Sequence, residues 1–318
     1  MRAFLVSDHD TAPKLTQVET PAPAKGEVLL EIEACGLNFA DLLMAKGTYQ
    51  DTPAPPFALG MEVCGTVLAQ GDGVTWPAIG TRVAVFGGKG GLAEQGVFPA
   101  DLCIAVPDAM TAAQAAGFQV AYGTSHLALT RRADLKAGET LLVLGAAGGV
   151  GLTAVEIGKA IGATVIAVAR GAEKLAIAKA AGADHLIDAG ADITAEVKAL
   201  GGADVVYDPV GGDAFAAAVR ATNREGRIIV IGFASGALPE VKPNHLLVKN
   251  ISLIGFYWGG YLKFNPTALT DSMTELMDWY AQGRLAPHVS HVMPLDQAAD
   301  ALDLLRARKS TGKVVVTP

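Results

Sequence analysis

The chain has 318 residues, enough for two domains and a sizeable core, and 51% of them are hydrophobic, which excludes a disordered chain. Its net charge of −7 favours solubility and opposes nonspecific nucleic-acid binding, so an anionic ligand needs local cations. No apolar run reaches the length of a membrane span, the opening Met-Arg-Ala-Phe-Leu-Val-Ser-Asp has no signal-peptide pattern, and the three cysteines (Cys35, Cys64, Cys103) lack C-x-x-C spacing. The expectation is a cytoplasmic protein without a membrane or nucleic-acid partner.

Residues 1 to about 117 are rich in strands and turns. Residues 28–34 alternate as a half-buried strand, and 38–46 form a short helix capped by Asn38. Further strands are expected at 62–69, 82–86 and 102–106, separated by Gly and Pro clusters, which suggests a compact barrel-like domain. The segment Gly87-Gly-Lys-Gly-Gly91 lacks the strand-to-helix context of a phosphate loop and is expected to be a mobile loop.

Residues 112–131 read as one Ala-rich helix. Strands and helices then alternate. Strands are expected at 140–144, 164–168, 185–187, 204–208, 227–231 and 251–256, and helices at 149–161, 172–181, 192–200 and 213–222. This alternation implies right-handed crossovers and a doubly wound parallel sheet, with a crevice beside the first strand if the order is 3-2-1-4-5-6. From residue 258 the chain is expected to return to the first domain, with helices near 267–282 and 296–306 and a last strand at 313–317. The domains are then 1–117 with 258–318, and 118–257. The final strand of the parallel sheet, 250–256, is apolar and unpaired at its edge, so a homodimer is expected there.

The stretch Thr140-Leu-Leu-Val-Leu-Gly-Ala-Ala-Gly-Gly-Val-Gly151 places a glycine turn between the first strand and its helix. Ala147, Gly148, Gly149 and Val150 would offer backbone N–H groups and a helix dipole to a pyrophosphate, and Gly151 would let the helix lie close to the strand. The plainer reading is a tight turn that binds nothing. Roughly 20 residues further on, a site selective for an unphosphorylated ribose carries Asp or Glu. Here the second strand ends in Ala169-Arg170, with Lys174 on the next helix, a pattern suited to a 2′-phosphate. Merely solvated cations explain the positions less well, because a helix N-terminus disfavours positive charge.

These residues resemble the medium-chain dehydrogenase/reductase superfamily, in its zinc-free quinone oxidoreductase branch. The resemblance spans essentially the whole chain. It is carried by Ala34-Cys-Gly-Leu-Asn-Phe-Ala-Asp41, Gly47-Thr-Tyr49, Leu59-Gly-Met-Glu-Val-Cys-Gly-Thr-Val67, Gly71-Asp-Gly-Val74 with Gly80-Thr-Arg-Val83, and Ala146-Ala-Gly-Gly-Val-Gly151. It implies an α/β architecture, a GroES-like β-barrel catalytic domain plus a Rossmann domain, with NADPH as cofactor in the cleft between them. Positions that hold catalytic zinc in the related alcohol dehydrogenases match Asn38, Met61 and Ala116, so no metal is expected. Without a Lewis acid the hydride acceptor must already be electrophilic, which fits a quinone or an α,β-unsaturated carbonyl.

By the same resemblance, Asn38 and Tyr49 reach the nicotinamide end. Asn38 would bond the substrate oxygen or the ribose, or serve only as a helix cap. Tyr49 would contact the cofactor or donate a proton, or be only a half-buried barrel aromatic. Asp41 is read as structural. Phe233, Ala234 and Ser235 would flank the adenine or pyrophosphate. Phe256, Tyr257 and Trp258 match a stretch whose backbone binds the carboxamide, or pack a dimer. Arg308 and Lys313 lie near a phosphate-contacting cation of the family. His126, His185, His245, His288 and His291 form no metal spacing and are read as surface or loop residues. The functions in competition are an NADPH-dependent quinone reductase, an NADPH-dependent reductase of enone, enal or enoyl-thioester C=C bonds, and a noncatalytic NADPH-binding protein.

Overall fold

The computed structural model describes residues 1–318. It divides into one unit made of Met1–Val120 and Pro287–Pro318, and a second made of Ala121–Ala286.

The first unit is built on the strand Glu27–Gly36, whose Val28, Leu30, Ile32 and Ala34 alternate into the core as the pattern predicts. The main sheet runs Val289–Pro294, Lys313–Thr317, Glu27–Gly36, Glu62–Gln70, Arg82–Phe86, Cys103–Ala105, with Gln95–Pro99 also paired to Glu27–Gly36. Lys14–Gln17, Arg2–Val6 and Phe57–Ala58 form a smaller sheet. The sequence reading missed Gln95–Pro99, where Gly96 and Pro99 argue against a strand; antiparallel pairing over five positions overrides them. The loop 87–91 is held in place rather than left mobile: Gly87 and Gly88 donate to Met61 O, Gly90 to Ala58 O, and Gly91 to Gly60 O.

The second unit is a six-stranded parallel sheet in the order His185–Asp188, Thr164–Ala169, Thr140–Leu144, Ala203–Asp208, Thr222–Val230, Ser252–Gly255, which is 3-2-1-4-5-6 in chain order. The helices between its strands are Gly149–Ile161, Gly171–Ala180, Ile193–Ala199 and Gly212–Ala221, near the predicted bounds, and Pro243–Lys249, which was not predicted; Pro266–Ala281, near the predicted 267–282, follows the last strand. Leu142, Leu144, Ile166, Val206, Phe215 and Ile228 form part of its core.

Two expectations are corrected. The single helix over 112–131 is three segments, Ala112–Ala116, Gln119–Leu127 and a π-helical turn Ala128–Arg132. The break falls at Gly117, where an added Cβ would lie 3.0 Å from Lys313 Cγ. The second correction concerns residues 258–286, which join the parallel-sheet unit instead of the β unit. Trp258, Met273, Leu276 and Trp279 of this stretch are buried. His126 explains the anchoring. It is buried, not a surface residue; its Nδ1 lies 2.8 Å from Ser272 Oγ, and its ring meets Trp279 edge-on at 5.2 Å. Burial lowers its pKa below the usual imidazole value, opposed by nearby Glu275.

Candidate functional site

In the parallel-sheet unit, the strand Thr140–Leu144 runs into Gly145, whose φ of +60° is left-handed. Gly148 then caps the helix Gly149–Ile161. An added Cβ at Gly148 would meet only Gly145 O, at 3.4 Å, so that side of the turn is open to an approaching group. At Gly151 it would fall 2.2 Å from Gly145 O, so the helix fits only without a side chain. The first helical amides, beginning at Gly149, have no acceptor within the helix and carry its positive dipole end. Behind them Ser125 Oγ donates to Val150 O at 2.9 Å and lies 2.8 Å from Thr153 Oγ1 and 2.9 Å from Tyr207 OH. Sequence reasoning missed this buried support. Its signal was a small polar residue inside each of two apolar elements, since buried polar groups need partners.

The second strand ends at buried Ala169, and exposed Arg170 caps the helix Gly171–Ala180. Lys174 stands one turn further on. Partial burial, then the positive charge of Arg170, lowers its pKa, so the two cations act on the same region. A carboxylate does reach this helix start, but from the neighbouring strand: Asp188 accepts from the Gly171 and Gly190 amides, both at 2.8 Å. Those bonds hold its pKa below the usual value.

At the end of the fourth strand, buried Asp208 accepts from Val210 N at 2.7 Å and Gly211 N at 2.9 Å, while desolvation raises its pKa. Ala234 N bonds Pro209 O at 3.0 Å and Ser235 N bonds Val210 O at 2.8 Å. The loop carrying half-exposed Phe233 is thereby folded against Val210, whose Cγ2 would lie 2.9 Å from a Cβ at Gly145. Phe233, Ala234 and Ser235 thus share a sheet end with the glycine turn. Phe256 packs on Tyr261 at 5.9 Å, and Trp258 is buried against Gly123, so the Trp258 side chain serves this chain's own core.

In the β unit, Asn38 is the N-cap of the helix Phe39–Met44 by position, and its backbone N–H donates to Asp41 Oδ2 at 2.8 Å. Its side chain turns elsewhere. Nδ2 donates to Glu62 Oε1 at 2.9 Å and more distantly to Gly36 O at 3.4 Å, and Oδ1 accepts from Lys313 Nζ at 2.8 Å. Lys313 Nζ also donates to Leu37 O and Glu62 Oε1, each at 2.8 Å. Glu62 Oε2 accepts from Val120 N at 2.9 Å. Lys313 and Glu62 are both buried, so the ion pair is shielded from solvent. Lys313 is therefore engaged within the unit, not presented as a phosphate contact. Asp41 is structural as expected. It is fully buried, takes Gly60 N at 3.1 Å as well as the Asn38 amide, and burial raises its pKa to about 6. Tyr49 is half-buried, in a turn closed by Thr52 Oγ1 donating to its carbonyl at 2.6 Å. Arg308 sits in the exposed turn after Ala298–Arg306, at a φ of +55°.

Residues 24–108 match the alcohol dehydrogenase GroES-like domain, and 149–282 match the zinc-binding dehydrogenase family. The chain is 39% identical to a quinone oxidoreductase-like protein 2 homolog of Nematostella vectensis, over 91% of this chain and 81% of that protein. Among solved structures it resembles the Thermus thermophilus quinone oxidoreductase, studied alone and in complex with NADPH. That likeness has a TM-score of 0.89 and 33% identity, and covers 100% of both chains. The Escherichia coli quinone oxidoreductase complexed with NADPH gives a TM-score of 0.91 at 28% identity, again over 100% of both chains. The chain belongs to the zinc-free quinone oxidoreductase branch of the medium-chain dehydrogenase/reductase superfamily. Its β unit contains the GroES-like domain, its parallel-sheet unit is the Rossmann domain, and it is an oxidoreductase of the medium-chain type.

Positions 38, 61 and 116 carry Asn, Met and Ala. Asn38 is bonded to Lys313 and Glu62, Met61 is a buried thioether, and Ala116 has no donor atom. A catalytic zinc site takes three protein ligands from His, Cys, Asp or Glu, and none of these three residues supplies one. A buried ammonium lies beside Asn38 instead.

Proposed function

We propose that this protein is an NADPH-dependent, zinc-independent reductase that delivers hydride to a quinone. The carrying observation is that the positions matching the zinc ligands of related alcohol dehydrogenases hold Asn38, Met61 and Ala116, with the Asn38 side chain taken up by Lys313 and Glu62. With no Lewis acid to activate a simple ketone or alcohol, the acceptor must be electrophilic on its own account. The NADPH complexes of the Thermus and Escherichia relatives support the cofactor.

Bound NADPH supplies the hydride. The chain's residues then have separable tasks. The open turn at Ala147, Gly148, Gly149 and Val150 receives the pyrophosphate at a helix N-terminus. Arg170 and Lys174 take the 2′-phosphate, for which buried Ala169 leaves room. Phe233, Ala234 and Ser235 flank the same sheet end, and the backbone of 256–258 is assigned to the carboxamide. Arg308 is assigned to phosphate.

Hydrogen-bond chemistry narrows the role of Asn38. An ammonium only donates and a carboxylate only accepts, so Oδ1 must face Lys313 and Nδ2 must face Glu62. Both Nδ2 hydrogens already have acceptors, whereas Oδ1 keeps one lone pair. Asn38 therefore suits a hydroxyl donor such as the nicotinamide ribose better than a substrate carbonyl oxygen. Tyr49 lines the same end as a contact residue.

Steady-state oxidation of NADPH against a panel of benzoquinones, naphthoquinones and enoyl thioesters tests the proposal. Turnover of quinones is expected. Turnover of enoyl thioesters with none on quinones would move the assignment to C=C reduction, and no turnover of any acceptor would leave an NADPH-binding protein.

A further inference from the structure

We propose that Lys313 is the positioning residue for Asn38, its ammonium fixing the side-chain amide in one orientation through a buried bond that Glu62 completes. The inference rests on the reading of Asn38 as a cofactor contact.

The geometry closes on itself. Lys313 Nζ has three hydrogens and three acceptors, Leu37 O, Asn38 Oδ1 and Glu62 Oε1, all at 2.8 Å. It has no donor left for a ligand, so it acts through Asn38. Glu62 Oε1 accepts from both Lys313 and Asn38 Nδ2, which makes a ring of three side chains in which each bond sets the polarity of the next. An amide alone at a helix cap can rotate by half a turn and exchange oxygen for nitrogen. Here such a flip would turn Nδ2 toward an ammonium and Oδ1 toward a carboxylate, replacing two charge-assisted bonds with two repulsive contacts. The path of the lysine is also built in. Its stem passes Gly117, where a Cβ would lie 3.0 Å from Cγ and 3.2 Å from Cβ of Lys313. Backbone pairing on both sides of Lys313–Thr317 holds that stem in register.

The experiment is a double-mutant cycle on the full chain. Lys313→Met keeps the stem and removes the charge. Its kcat with a naphthoquinone is expected to fall about tenfold to a hundredfold, as for a displaced contact group, while the NADPH dissociation constant measured by fluorescence moves less than about threefold. Asn38→Ala combined with Lys313→Met should be no slower than Asn38→Ala alone, because both changes remove the same function. Lys313→Met leaves a buried carboxylate without its cation. The cycle is therefore repeated in Lys313→Met/Glu62→Gln, which removes both charges, with thermal unfolding as the check on folding.

A second readout needs no substrate. In the unmutated chain the Asn38 side-chain amide protons, identified by their loss in Asn38→Ala, should exchange slowly with solvent by NMR. In Lys313→Met they should shift and exchange faster. An unchanged kcat, multiplying effects in the double variant, or an Asn38 amide unaltered by Lys313→Met would each overturn the proposal. Failure of the unmutated protein to reduce any quinone would count against the functional reading alone, and the amide exchange would still decide the positioning role.

Discussion

At the scale of single residues, cofactor selectivity rests on few atoms. Arg170 is exposed, stands at the helix start and has no carboxylate at position 169 to oppose a phosphate. Removing one charge-assisted contact of this kind costs roughly 1.5–3 kcal/mol. Arg170→Ala should therefore weaken NADPH binding about tenfold or more and leave NADH nearly unchanged, as titration of both cofactors would show. Equal losses would refute the assignment. Tyr49 separates the two candidate reactions. The charge delivered to a quinone spreads over its ring and oxygens, and water can protonate it. An enoyl thioester needs a proton on its α-carbon, where a positioned acid contributes about 10²–10⁴ in rate. Tyr49→Phe should lower quinone turnover less than about tenfold. A drop in kcat of a hundredfold or more with unchanged cofactor affinity would favour C=C reduction. The place of Arg170 at the end of the second strand was legible because it depends only on chain distance from the glycine turn. Lys313 was not, because its partner Glu62 lies 251 residues away and no local pattern joins them.

At the scale of elements, the parallel sheet was readable because most of its strands are short apolar runs followed by a helix, as Thr140–Leu144 and Thr164–Ala169 are, and the observed order follows. The β unit was less so. Gln95–Pro99 carries the residues of a loop, and only its neighbour makes it a strand. The helix Gly149–Ile161, which follows the glycine turn, carries a carboxylate at buried Glu156. Desolvation raises its pKa to about 7, against bonds from Tyr122 OH and from Ala286 N at 2.9 Å that oppose the shift. Between about pH 4.5 and 7 the folded chain holds this proton and the unfolded chain does not, so stability falls as pH rises through that window and levels off above it. The span is worth about 3 kcal/mol. Urea unfolding should show a smaller loss between pH 5 and 8 in Glu156→Gln than in the unmutated protein. Parallel losses would show that other groups carry the slope.

At the scale of the whole molecule, the Ser252–Gly255 strand closes one side of the Rossmann sheet and has a single neighbour. The adjoining helix Pro243–Lys249 leaves Leu247 76% and Val248 67% exposed. An unpaired edge beside exposed apolar side chains favours a second copy of the chain, paired edge to edge. Light scattering at micromolar concentration should give the mass of two chains, and Leu247→Glu/Val248→Glu should reduce it to one. A monomeric unmutated protein would rule the dimer out. The sequence indicated the sheet edge but misplaced the division between the units. Residues 258–286 are amphipathic, and only their packing shows which core they serve.

The buried carboxylate of Glu156 also bears on how the chain folds. It grips Tyr122, near the entry of the inserted Rossmann unit, through one oxygen, and Ala286, at its exit, through the other. Folding that unit first therefore brings the two halves of the interrupted β unit to one point. The gap between Val120 and Pro287 then behaves as a short loop rather than a long one. Closing a loop costs about 0.6 kcal/mol for each doubling of its length, so taking the inserted unit out of the loop between Gly36 and Val315 lowers the entropy cost of joining the strand Lys313–Thr317 to Glu27–Gly36 by roughly 1 kcal/mol. One side chain thus ties together the two ends of the inserted unit.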